Sequence, residues 1–148
     1  MKTPPLKRQP RIRILRKDPD IINIFLKVYA VPHYHSVFKV SCLENTMIEI
    51  DSSSTVEELK TEFYRRRHAP VMSQAIVRPF DKFSKYSFED VNFSADIGEI
   101  LFNDRTLEEC DKEEILLLFI DEEGIEGLEA ADVTEEENYC NILYNKNF

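Results

Sequence analysis

The 148 residues carry 28 acidic side chains against 19 basic ones, a formal net charge of −9, and only three are glycine. Gly98 is the sole glycine ahead of Gly124, so no segment can form a glycine-rich phosphate cradle, where backbone must approach the anion closely, and P-loop and dinucleotide sites are excluded. The overall acidity disfavours broad charge-driven binding to nucleic acid, and 43% apolar residues at a length typical of one domain suffice for a core without staples.

The charge is unevenly spread. Residues 1 to 17 hold Lys2, Lys7, Arg8, Arg11, Arg13, Arg16 and Lys17 and no acid, whereas residues 121 to 148 hold nine acids against Lys146 alone. The first stretch, broken by Pro4, Pro5, Pro10 and Pro19, has too little apolar content to pack by itself and reads as a flexible basic arm over 1–20. Lys7, Arg8, Arg11, Arg13, Arg16 and Lys17 make it a nuclear-import signal or a nucleic-acid-contacting arm. A merely solubilising tail fits as well, and the arm could also fold back on the acidic C-terminus. Cys42, Cys110 and Cys140 are an odd set at wide spacing and do not form a disulfide framework. No apolar run reaches the length of a membrane span, and a reducing intracellular compartment is expected.

Order is expected from Ile21, where IINIFLKVYA is rich in β-branched and aromatic residues between Pro19 and Pro32 and predicts a first strand. VFKVSCL (37–43) and TMIEI (46–50) alternate apolar and polar residues and predict either a hairpin or one broken second strand. Ser54 with Glu57, or Thr55 with Glu58, has capping-box spacing. VEELKTEFYRRR then predicts a helix with Val56, Leu59, Phe63 and Tyr64 on one face, acids in its first turn and Arg65, Arg66 and Arg67 in its last. Pro70 stops it.

SQAIVRPF (73–80) predicts a short strand, and DKFSKYSFEDVNF (81–93) alternates aromatic and polar residues like a half-buried partner strand. A turn at 96–98 follows, and GEILFNDRTLEEC (98–110) predicts a short strand, an Asn103-Asp104 turn and a brief helical turn. ILLLFI (115–120) predicts a strand buried on both faces. Beyond Asp121 the sequence is acid-rich, with Tyr139, Ile142, Leu143, Tyr144 and Phe148 as a small apolar group at its end, and a mostly disordered tail over 122–148 is expected. One helix crossing a mixed sheet is an α+β plan, the ubiquitin-like β-grasp, here spanning 21–121.

Candidate chemistry is sparse. His33, His35, His68 and the three cysteines show neither Cys-x-x-Cys nor His-x-x-x-His spacing, so no metal, cofactor or catalytic site is expected. Arg65, Arg66 and Arg67 complement the helix dipole and offer a contact for an acidic peptide or phosphate. Of Phe80, Phe83, Tyr86, Phe88 and Phe93, about half should be core, and those facing outward would anchor a partner.

Ile22 to Ile120 resembles the 18-kDa Sin-three-associated polypeptide family, ubiquitin-like subunits of histone-deacetylase corepressor and splicing-associated complexes. Phe25-Leu26-Lys27-Val28-Tyr29 is similar to the family's first strand, and His33 and His35 to the histidine pair after it. Thr55-Val56-Glu57-Glu58-Leu59 resembles its helix start, Ala75-Ile76-Val77 its Ala-Ile-Val strand, and Thr106-Leu107 with Leu116 to Ile120 its closing segment. The signal is the order and spacing of these matches.

The resemblance implies a non-enzymatic adaptor in a nuclear complex, with a cytoplasmic pool as a second location, acting in histone-deacetylase repression, mRNA splicing or mRNA processing. Its partners would be proteins of those complexes, with RNA reached only through them and no membrane or small-molecule substrate. The alternative is a ubiquitin-like or Ras-association-like module that binds a small GTPase.

Overall fold

The computed structural model describes residues 20–31, 39–92, 97–121, 134, 135 and 142. Residues 1–19 of the basic arm, the histidines His33 and His35, Phe93, Cys140 and most of the acidic tail lie outside the described residues.

The first predicted strand forms as β1 (Ile21–Ala30). The next region is not a hairpin but a two-residue β2 (Lys39–Val40) followed by a ten-residue β3 (Cys42–Asp51). Glu44 and Asn45 sit inside β3 because both pair with β1, opposite Val28 and Lys27. The irregularity is one step away, where the register shifts between Val28 and Tyr29, as a β-bulge does.

The helix α1 (Val56–Arg67) starts from Thr55, the second of the two predicted caps. Glu58 N–H donates to Thr55 Oγ1 at 3.2 Å and Thr55 N–H to Glu58 Oε1 at 2.8 Å, so two terminal donors are satisfied reciprocally. Two more, on Val56 and Glu57, donate to the carbonyls of Arg105 and Asn103 at 2.8 and 3.1 Å, which docks the start of the helix onto that turn. At its other end His68 takes a left-handed conformation, φ 62°, with its N–H on the Tyr64 carbonyl at 2.6 Å.

β4 (Gln74–Pro79), β6 (Gly98–Leu101) and β7 (Ile115–Ile120) complete a five-stranded sheet of order β3-β1-β7-β4-β6. β1 and β7 run parallel at its centre and the other pairs are antiparallel. This is the α+β, ubiquitin-like β-grasp plan, one main helix on a mixed sheet. β7 is flanked on both sides, and Leu116 to Ile120 are buried on both faces.

The alternation of the strands sorts side chains into two cores. Ile22, Ile24, Leu26 and Val28 of β1 join Leu116, Leu118 and Ile120 of β7 beneath Val56, Leu59 and Phe63 of α1. Tyr29, Ala75, Val77, Leu117 and Phe119 point to the opposite face, into a second cluster. Each fully buried aliphatic or aromatic side chain contributes roughly 1.5–3 kcal/mol.

The opposite face is covered too. β2 pairs with a short β5 (Val91–Asn92), Val40 and Val91 enter the second cluster, and so does Ile142 from the acid-rich stretch. At Ile142 and Glu135 that stretch therefore packs on the body. The aromatic run after β4 does not become the predicted partner strand: within 81–92 only Val91–Asn92 is strand. Both edges of β4 are already taken, by β7 and β6, so the run has no free ladder beside its own predecessor.

Candidate protein-binding surface

The stretch between β4 and β5 crosses the sheet face away from α1. Lys27, in the middle of β1 and 1% exposed, donates its ammonium to the Ser87 carbonyl, which also accepts Asn45 Nδ2 at 3.1 Å. A buried lysine thus holds the loop backbone down, because an unpaired ammonium in the interior would be far more costly. Phe83 is half-buried and packs against the second cluster, giving the loop an apolar foot on that core. Phe80, Tyr86 and Phe88 turn outward, at 70%, 84% and 62% exposed.

Other groups extend this surface. Lys85 Nζ lies 4.8 Å from the Phe25 ring centre and 5.4 Å from that of Tyr86, and pairs with Glu113. That hydrogen bond raises the Lys85 pKa and lowers that of Glu113. Met47 of β3, 41% exposed, stands opposite Phe25 in the β1–β3 register. Phe25, Tyr86 and Met47 thus adjoin around Lys85, an aromatic and thioether surface of the kind that anchors partners.

The arginine run is placed differently. Arg65 pairs with Glu62, Arg66 Nη1 donates to the Met47 carbonyl at 2.7 Å, and Arg67 pairs with Glu44. Arg66 and Arg67 thereby tie the end of α1 to the edge strand β3, and all three remain exposed. Among the described residues, no hydrogen bond or ion pair other than that to Met47 brings them onto the aromatic surface.

Two cysteines, Cys42 and Cys110, lie among the described residues. The Cys42 thiol lies 3.4 Å from the Glu44 carbonyl oxygen, as a donor to it. Burial pushes the Cys110 thiol up despite the Arg78 guanidinium, which donates to its sulfur at 3.2 Å, and the protonated thiol is a poor nucleophile. Tyr29 is fully buried, and burial followed by the nearby Cys42 raises its pKa. Among the described residues no three His, Cys, Asp or Glu side chains are grouped to hold a metal, and no helix is long and apolar enough to cross a membrane. A groove of about 680 Å³ beside the start of β1 has walls of mixed charge, with Asp20, Glu49 and Glu108 against Lys112.

Two buried lysines escape sequence reasoning. Lys27 sits on a strand whose only other polar side chains are Asn23 and the hydroxyl of Tyr29, and Lys60 takes the helix position four after Val56, where an amphipathic pattern wants an aliphatic residue. Tyr64, predicted on the buried face, is instead 43% exposed and stacks edge-on against His68, ring centres 6.3 Å apart. The signal that could have found Lys60 is its place in the stripe, Val56, Leu59, Lys60, Phe63, at i, i+3, i+4 and i+7.

No family model matches the sequence, and no curated protein matches it. Among solved structures the chain is similar to the Arabidopsis thaliana protein At2g32350, determined from evolutionary couplings and sparse NMR data. The identity is 14% and the TM-score 0.43, over 69% of this chain and 88% of that one.

Proposed function

We propose that this chain is a non-enzymatic adaptor subunit of a nuclear complex, acting in histone-deacetylase corepression or in mRNA splicing and processing, and that it binds partner proteins through its ubiquitin-like domain. The observation that carries the reading is the outward set Phe80, Tyr86 and Phe88, of which Tyr86 and Phe88 flank the Ser87 carbonyl held by the buried Lys27. Exposed aromatics on a fixed backbone lose little freedom when a partner covers them, and each contributes roughly 1.5–3 kcal/mol on burial. The ordered resemblance of Ile22 to Ile120 to the Sin-associated family supplies the class of complex.

Affinity purification of the full chain from its source, followed by mass spectrometry, should recover deacetylase-complex or splicing-associated proteins. The chain with Phe80→Ala, Tyr86→Ala and Phe88→Ala should keep its thermal midpoint and lose those proteins by at least about tenfold. Recovery of neither group by the unaltered chain would reject the reading. Equal recovery by the triple variant would move the contact elsewhere on the domain.

A further inference from the structure

The register of β1 with β3 sets two rows of side chains on the sheet face away from α1. Asn23 stands opposite Glu49, Phe25 opposite Met47 and Lys27 opposite Asn45. Side chains alternate along a strand, and Ile22, Ile24 and Leu26 fill the core beneath α1, so these pairs share the other face. The aromatic surface at Phe25 and Met47 therefore continues, two residues along each strand, into Asn23 and Glu49. Those two line the groove of about 680 Å³ beside the start of β1.

The groove is short of positive charge and of donors. Asp20, Glu49 and Glu108 line it against Lys112, and none of the three carboxylates is ion-paired among the described residues. The side-chain oxygen of Asn23 is buried and accepts no hydrogen bond among the described residues. An acceptor left in that state is costly, and an incoming cationic donor would supply the missing bond and the missing charge together. At Phe25 and Met47 the demand is the opposite one. Met47 is 41% exposed and gains when apolar surface covers it. The two demands lie about 7 Å apart along the strands, the spacing at which an extended chain presents alternate side chains to one side.

We propose that this face is a two-part docking site for an extended partner segment carrying an arginine or lysine two residues from an aliphatic or aromatic side chain. The cation enters the groove at Asn23 and Glu49, and the apolar side chain covers Phe25 and Met47. The partner is a protein segment, because nucleic acid would bring its phosphates against three carboxylates. The inference rests on the protein-binding role proposed for the aromatic surface and names the chemistry of what binds there, whichever complex supplies it.

The isotope-labelled full chain, titrated by NMR with the peptide Gly-Ser-Thr-Arg-Thr-Leu-Thr-Ser-Gly, should show the amides of Asn23, Phe25, Met47 and Glu49 shifting together and saturably at millimolar peptide. Exchanging the arginine for glutamate, exchanging the leucine for serine, or placing the arginine and leucine side by side should each cost about tenfold or more in affinity. No saturable binding, shifts confined to other residues, or equal binding by an exchanged peptide overturns the proposal.

Glu49 is exposed, so Glu49→Gln tests the charge without disturbing the core. It should weaken the arginine peptide by about threefold and leave a glutamine-for-arginine peptide unchanged; equal effects on both would contradict a contact between that carboxylate and the cation. Affinity purification that recovers neither deacetylase-complex nor splicing-associated proteins would reject the reading of the complex and leave the titration standing. A failed titration beside successful recovery would reject this inference alone.

Discussion

Lys60 shows how one side chain can set a measurable property of the whole domain. Burial lowers its pKa from 10.5 to about 8, against the opposing pull of Glu135 and Glu57. Between those two values the unfolded chain binds a proton that the folded chain does not, so this residue makes stability rise as pH climbs from about 8 to 10.5. Below pH 8 the folded state carries a buried charge at a cost of about 3 kcal/mol. Replacing it by a hydrophobe of similar length removes that cost but leaves the Asn103 oxygen without its donor. Lys60→Met is therefore expected to be more stable than the parent by about 1–2 kcal/mol at pH 7, and the gain should vanish or reverse by pH 10. Paired urea melts at the two pH values check this; a difference independent of pH would contradict it. Gly98 makes an opposite kind of demand. A Cβ there would lie 2.2 Å from the Arg78 carbonyl oxygen and 2.7 Å from a Val77 methyl, because β6 must close on β4 with Gly98 opposite Pro79. Gly98→Ala should destabilise by about 1–3 kcal/mol, read as a lower urea midpoint at an unchanged slope.

At the level of elements, the helix was legible because every local rule agreed: cap, acids first, arginines last, proline beyond. The choice between Ser54 and Thr55 as the cap was not, since it turns on where the turn at 103–107 presents its carbonyls, and Leu107 N–H takes the Ser54 carbonyl at 2.9 Å. Thr55→Ala should cost about 1 kcal/mol of stability. Glu58→Ala in the same background should add less than it does alone, because the two side chains form one reciprocal unit. A full additive loss in a thermal-melt cycle would show that the two side chains act independently rather than as a unit. The stretch from 81 to 92 shows where pattern fails. Alternating aromatics predict a strand only if a ladder is available, and here neighbours distant in sequence occupy both sides of β4. The same reasoning explains why Phe83 and Phe88 cannot be told apart by sequence: one meets an apolar cluster and the other water, and both are phenylalanines after a charged or polar neighbour.

For the molecule as a whole, the composition of β1, the period of α1 and the unbroken apolar run of β7 were enough to reach the α+β plan, since each signal is readable within its own residues. What covers the far face of the sheet was not readable. It depends on pieces too short to show a period: two residues of β2, two of β5, Phe83, and Ile142 in a stretch whose acidity reads as solvated. The buried ammoniums of Lys27 and Lys60 were hidden for the same reason, because a lone lysine in an apolar pattern looks like an error in the pattern until its acceptor, brought from 60 or 43 positions away, is seen. The parallel pairing of β1 with β7 has a further bearing, on the order of events during synthesis. Phe25 faces Ile115 across that ladder, about 90 residues later in the chain, and without β7 neither core has its central strand. The early part of the chain must therefore leave the ribosome with its apolar residues uncovered and wait, and closing so long a loop makes the last step slow relative to helix formation. The first strand made is completed by the last, so a nascent chain truncated before Ile115 carries a capped helix and an edge hairpin of β1 with β3 but no centre to hold them, and is a natural client for a chaperone.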